Sequence, residues 1–438
     1  MVTNRRDAGL ARAVGPWGLA ASIVSMVVGA GIFAVPGALA ASVGPFAPLA
    51  ILLCAGAVGA VAMCFAEGGS RIPSSGGAYG YVEAAFGPLA GYVAGTLLWF
   101  SNVLGCGSVA AALADVVVSV LPPVVRAPAH AGVVVAAIGG IAVINTGGVR
   151  RGIRLVNVVT VLKLLPLAVF LLVGAAGVQA SNFRPETSAG AAGLGRALIL
   201  ALFAFMGMET ALCASGEVAR PERTIPRALA LAMASVTVLY VGIQVVAQGI
   251  LGPALATSTV PLADAMARLS PALRLLMLGG AAVSMFGYLS SDLLGSPRML
   301  FAFARDGLLP GFLGRLRSGT QAPHLAIACY ASLAIVLALS GTFTELAVLA
   351  TLTSAALYVA GCAAAWRLAR RGVARAGTPL GFRWLGTAMA VGIASMLAFI
   401  ALASTREIAG LASLIAASSA VYLLQTRLGH GRSRDGAA

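Results

Sequence analysis

The sequence predicts an all-α polytopic membrane protein with about twelve transmembrane helices. Three observations carry that expectation. Of 438 residues, 59% are hydrophobic and only 10% charged, with a mean hydropathy of +0.96; soluble domains carry about 25% charged residues. The apolar residues fall into runs near the roughly 20 residues that cross a bilayer. Two of these runs are interrupted at mid-depth by glycine, in Ser25-Met26-Val27-Val28-Gly29-Ala30-Gly31-Ile32-Phe33 and in Phe203-Ala204-Phe205-Met206-Gly207-Met208-Glu209-Thr210. Gly207 follows Gly29 by 178 residues. Paired interruptions in corresponding positions of two halves point to a transporter binding site, and the interval of about five spans fits a five-plus-five repeat.

The expected spans, in order, are 17–41, 45–66, 88–120, 130–147, 154–177, 194–216, 226–250, 271–301, 323–341, 344–368, 382–403 and 407–426. Only Ser404, Thr405 and Arg406 separate the last two, which predicts a tight turn. Between the second and third spans, Arg71-Ile72-Pro73-Ser74-Ser75-Gly76-Gly77-Ala78-Tyr79 predicts a turn and then a short helix leading into span three. After span six, mixed charge and two prolines in Gly216 to Arg227 predict a structured loop.

Charge sets the expected orientation. With the N-terminus inside, 22 arginines fall on the inner side and six (Arg126, Arg184, Arg196, Arg268, Arg274 and Arg406) on the outer side. That bias predicts both termini in the cytoplasm. The net charge of +15 is thus expected to come from topology-setting loops rather than a nucleic-acid surface. The first apolar run lacks a cleavage-site pattern, and Arg5-Arg6 lacks the rest of a twin-arginine signal, so no cleaved leader is expected. The six cysteines (Cys54, Cys64, Cys106, Cys213, Cys329, Cys362) lie in or beside apolar runs without a C-x-x-C pair, so neither a metal site nor a disulfide framework is expected.

The two glycine interruptions carry the chemistry. An opened turn exposes N–H and C=O groups that hydrocarbon cannot satisfy, so it is tolerated only in protein or beside a cavity. Half-helix N-termini there favour an anionic group. Close helix packing is the other reading of Gly29 and Gly31. Glu209, an acid inside a span, is costly and marks a functional position. Lys163 is the one lysine of the chain and lies in span five. Its ammonium is either a buried switch or snorkels to the interface. Asp292, in span eight, either faces the pocket and favours a basic or polar side chain or pairs with a neighbour.

These stretches together resemble the amino acid–polyamine–organocation family of permeases. The resemblance rests on Gly29-Ala30-Gly31-Ile32-Phe33, on Pro73 through Tyr79, on Phe205 through Glu209 with Glu217 through Arg227, and on Arg298 with Ala304-Arg305-Asp306-Gly307. It implies one transmembrane transport domain over 1–438 with the leucine-transporter-like inverted-repeat fold: repeat one about 17–177, repeat two about 194–368, extra helices about 382–426, and helices 1 and 6 broken. It implies amino acid transport across the cytoplasmic membrane by alternating access. Proton-coupled symport is expected, with an exchanger or exporter of amino acids or amines as the alternative. It places the substrate carboxylate on the amides of Gly29, Ala30 and Gly31, and the ammonium on carbonyls around Phe203, Ala204 and Met206, beside Gly207. Ser25 and Val27 border the pocket, and Phe203 or Phe205 covers the substrate. Asn102 matches an asparagine that contacts substrate in arginine exchangers. Glu209 supports the unwound backbone and gating, and Lys163 stands in for a missing cation.

The expected partners are a small amino acid, protons and the lipid bilayer, with no cofactor, no metal and no nucleic acid; oligomeric state is left open. An enzyme is not expected, because His130, His324 and His430 all fall near loops or the tail and form no metal or catalytic spacing. No span carries the continuous polar lining or carbonyl filter that a channel needs.

Overall fold

Among the described residues seven helices begin on a proline, at Pro16, Pro88, Pro123, Pro221, Pro261, Pro271 and Pro297. The missing N–H costs nothing at a first helical position, and the fixed φ pre-forms the turn. The structure is a computed structural model. It describes residues 15–29, 31–72, 77–147, 162–184, 191–212, 218–305, 307–317, 320, 322–374 and 378–435. The helices are α1 Pro16–Val27, α2 Gly31–Val43, α3 Ala47–Arg71, α4 Gly77–Phe86, α5 Pro88–Val118, α6 Pro123–Thr146, α7 Leu164–Gly174, α8 Ala191–Phe205, α9 Met208–Ala211, α10 Pro221–Leu251, α11 Pro261–Ala267, α12 Pro271–Gly295, α13 Pro297–Arg305, α14 His324–Ser340, α15 Phe343–Arg370, α16 Leu385–Ala401 and α17 Thr405–Asp435. Eight helical stretches among the described residues are long and apolar enough to cross a membrane. Four shorter apolar helices accompany them, at Pro16–Val27, Leu164–Gly177, His324–Ser340 and Leu385–Ala401.

The chain forms two compact units that alternate along the sequence. The first comprises Met1–Leu98, Val178–Thr257 and Thr351–Ile408; the second comprises Trp99–Gly177, Ser258–Ala350 and Ala409–Ala438. In the first unit, α10 packs against α1 and α3, and α8 against α2 and α3. In the second, α12 packs against α6 and α7, and α14 against α6.

Several expected boundaries move for physical reasons. Span one is two helices, with Val28 (φ −74°, ψ 73°) ending α1 and Gly31 opening α2. The second span does not stop at 66, because the first charges beyond it are hidden. The Arg71 guanidinium lies 2.7 Å from Glu67, which is fully buried. The second oxygen of that carboxylate, Oε2, accepts the Phe382 N–H at 3.0 Å, and Arg71 donates to the Val373 carbonyl at 3.0 Å. The helix thus runs on to Arg71 and pins the connector between α15 and α16. Spans four and seven start earlier than expected, at Pro123 and Pro221. Span eight is divided at Ser296 into α12 and the short α13. The short helix predicted before span three is α4, while 73–76, where the turn is expected, 148–161, which take in the start of the expected span five, and 213–217 lie outside the described residues. Arg196 and Glu407 pair at 3.0 Å, which brings the start of α8 beside the first turn of α17.

Candidate functional site

Within the first unit the two interrupted spans meet backbone to backbone. After α1 the Gly29 N–H turns back to the Val27 carbonyl at 2.7 Å, a tight turn that no α-helix contains. Ala30 lies outside the described residues. From Gly31 the chain is helical again, and the first amides of a helix have no intrahelical acceptor. In the other span α8 stops at Phe205, the chain turns through Met206 and Gly207, and α9 begins at Met208. Gly207 sits at φ 120°, ψ −20°, a conformation only glycine adopts readily. A Cβ added to it would stand 3.0 Å from the carbonyl carbon and oxygen of Met26 and 3.2 Å from the Val27 nitrogen. A Cβ on Gly31 would stand 3.2 Å from the Ala204 Cα. Each break therefore uses its glycine to admit the main chain of the other.

Three tyrosines that the sequence reading did not single out, Tyr240, Tyr358 and Tyr330, each donate to a carbonyl or carboxylate of their own unit. Tyr240 of α10 points its hydroxyl at both broken spans, 2.8 Å from the Val27 carbonyl and 2.9 Å from the Ala204 carbonyl. Both carbonyls belong to helix ends, which lack intrahelical donors. A phenol carries one hydrogen, so it donates to one carbonyl at a time. Its ring packs at 5.3 Å against Phe205. Tyr358 of α15 donates to Glu209 at 2.7 Å. The Glu209 carboxylate, buried at the start of α9, also accepts the Gly207 N–H on both oxygens at 3.2 and 3.1 Å. Glu209 thereby fixes the turn whose glycine touches α1. The Thr351 hydroxyl of α15 reaches the Met206 sulfur at 3.8 Å.

We expect Tyr240→Phe to cost about 1 kcal/mol, the usual net worth of a buried hydrogen bond. The melting temperature of the purified protein should drop by a few degrees and transport should slow. An unchanged melting temperature would mean that the bridge is not worth a hydrogen bond.

The expected site residues therefore sort by unit. Ser25, Val27, Gly29, Gly31, Phe203, Ala204, Phe205, Met206, Gly207 and Glu209 belong to the first. Val27, Gly29, Gly31, Phe203, Ala204 and Phe205 are buried, whereas Ser25, Met206 and Gly207 are partly exposed. The Ala204 carbonyl already accepts from Tyr240, and the Phe203 carbonyl accepts the Met206 N–H at 3.3 Å. The two phenylalanines differ: Phe205 is committed to the Tyr240 ring, while Phe203 lies beside Gly31.

Asn102, Lys163 and Asp292 belong to the second unit. Asn102 donates to the Ser296 hydroxyl at 3.0 Å, and Ser296 donates to Asp292 at 2.7 Å. Tyr330 donates to the other Asp292 oxygen. Asp292 thus pairs with neighbours of its own unit, one of the two arrangements expected for it. Lys163 precedes α7 and is 3% exposed. A snorkelling lysine would keep its ammonium in water, and this one is buried.

Residues 14–406 match the profile of the family described as amino acid permease. An uncharacterized transporter of Mycobacterium tuberculosis is 31% identical over 354 residues, covering 74% of this chain and 73% of the relative. The chain belongs to the amino acid permease family. The branched-chain amino acid permease BcaP of Lactococcus lactis is 27% identical, covering 77% of each chain. The methylthioribose transporter of Bacillus subtilis is 28% identical, covering 72% of each. Like these relatives, the permease described above is an integral membrane transport protein. The family match closes at residue 406, where α17 has just begun. Among the described residues no group of three or more His, Cys, Asp or Glu side chains could hold a metal ion.

Proposed function

We propose that the chain is a secondary active transporter that moves a small neutral amino acid across the cytoplasmic membrane by alternating access, coupled to protons. The observation that carries this reading is the docking of two interrupted spans through Gly31 and Gly207. Backbone freed from helical pairing at mid-membrane is tolerated where it serves a ligand. In this reading the amides of Gly29, Ala30 and Gly31 take the carboxylate, as a helix N-terminus takes any anion. The Phe203 and Met206 carbonyls accept from the ammonium, since a carbonyl has two lone pairs. Ser25, Val27 and Phe203 border the ligand, and Glu209 holds the second break in shape. The protein is a single twelve-span domain with repeats at about 17–177 and 194–368 and both termini in the cytoplasm, an orientation the arginine bias supports.

Purified protein in proteoliposomes, without internal substrate, should accumulate a neutral amino acid when the outside is made acidic. Branched-chain amino acids and methylthioribose belong in the panel, because relatives carry those names. Uptake only after preloading would instead establish exchange, and no uptake of any amino acid would end the proposal. Lys163 is the residue proposed to carry coupling. Lys163→Met should abolish the response to an imposed proton gradient while counterflow of preloaded substrate persists. A variant that keeps the full gradient response would move proton handling elsewhere.

A further inference from the structure

The buried face of α10 continues past Tyr240. Tyr240, Gln244 and Gln248 recur every fourth residue and so share one side of the helix. All three are at most 2% exposed. Eight residues of helix cover about 12 Å. At one end of that stretch Tyr240 lies on the two helix breaks. At the other, the Gln248 amide donates to the Asn182 carbonyl at 3.2 Å. Asn182 sits in the short turn Ala180–Phe183 that caps the end of α10, where the Gln179 N–H and the Asn182 side chain both donate to the Gly249 carbonyl at 2.9 and 2.8 Å. Between them Gln244 donates to the Pro36 carbonyl of α2 at 3.4 Å.

These partners fix which way each amide points. A backbone carbonyl only accepts, so the NH2 group of each glutamine must face it and the amide oxygen must face away. The two oxygens so presented, Oε1 of Gln244 and of Gln248, are sealed from solvent and meet no donor among the described residues. Native structures seldom leave a buried polar side-chain atom unmatched. A leucine or methionine would fill the same space without forfeiting a hydrogen bond. The two unmatched acceptors stand one turn apart on the face of α10 that carries Tyr240.

We propose that the amide oxygens of Gln244 and Gln248 form an acceptor ladder for the ammonium group of the substrate as it passes between the helix breaks and the membrane face that carries residues 180–183. This rests on the amino acid transport reading above. Neutral acceptors suit transit: they match N–H donors, yet hold a cation less firmly than a buried carboxylate would, so the solute can leave. The carboxylate of Glu209 is already engaged by Gly207 and Tyr358.

The test is uptake kinetics in intact cells, with Gln244→Met, Gln248→Met and the double variant against wild type. Methionine keeps the length of the side chain and removes both the donor and the acceptor. The double variant should raise KM for the transported amino acid about tenfold, the loss of one hydrogen bond to a charged group, with the maximal rate within about twofold. Gln248→Glu should do the opposite, lowering KM and slowing turnover, because a carboxylate there would retain the ammonium. Melting curves of each purified variant identify misfolding; if the double variant does not fold, Gln248→Met and Gln248→Glu decide. Unchanged KM in folded methionine and glutamate variants would overturn the ladder and leave these oxygens to bound water. Wild-type protein that takes up no amino acid would overturn the transport reading instead, so the two failures are distinguishable.

Discussion

Gly207→Val should abolish transport. The residue has φ 120°, where a β-branched side chain is strained, and its new Cβ would lie 3.0 Å from the main chain of Met26. Main chain cannot rotate away as the end of a flexible side chain can, so either α1 or the 206–207 turn must move. Backbone strain and overpacking cost roughly 1–3 kcal/mol each. Together they amount to a loss of about a hundredfold or more in any step that needs the two breaks docked. Initial uptake rates in proteoliposomes, with melting temperature measured alongside, check this. Gly139→Ala in α6 is the control: nothing lies within 4 Å of its Cβ position, so it should be neutral or slightly stabilising. A Gly207→Val protein with wild-type uptake would show that the breaks need not touch.

Glu209→Ala should be nearly as damaging. The carboxylate is the acceptor of both the Gly207 N–H and the Tyr358 hydroxyl, and the carboxylate and the phenol are both buried. Removing it strands two donors, at about 1–3 kcal/mol apiece. The melting temperature should fall by several degrees and uptake by at least about tenfold. Tyr358→Phe strands nothing on its own side and should cost less. Because the two residues share a hydrogen bond, the double variant Glu209→Ala/Tyr358→Phe should be less damaged than the sum of the singles, with a coupling of about 0.5–3 kcal/mol. Additive effects would mean that Tyr358 does not hold the carboxylate. Glu209→Gln, which keeps one acceptor oxygen, should recover part of the loss.

What the sequence made legible was whatever depends on local chemistry. Glycine inside an apolar run has few explanations, so the interruptions near Gly29 and Gly207 could be read directly, and proline marked helix starts once its first-position preference is applied. The charge of Glu67 misled, because a window average cannot know that Arg71 lies one turn on and neutralises it in the interior. The tyrosines were missed for a different reason. In an apolar window Tyr240 and Tyr358 count as two more aromatics, and their roles depend on which carbonyl or carboxylate a distant segment brings to the hydroxyl. One signal was available: Tyr240, Gln244 and Gln248 repeat at helical spacing inside span seven, a polar stripe that hydrocarbon would not tolerate. Asp292 shows the same limit, since the partners it meets, Ser296 and Tyr330, lie four and 38 residues away in sequence.

The hydroxyl of Tyr240 has two suitors and one hydrogen. Rotation about a single C–O bond passes that hydrogen from Val27 to Ala204, so either half-span can withdraw while the phenol stays engaged with the other. A latch with a donor for each carbonyl would lose a full bond whenever one side moved. This one works as a swivel: letting go of either carbonyl leaves the hydrogen bond to the other in place.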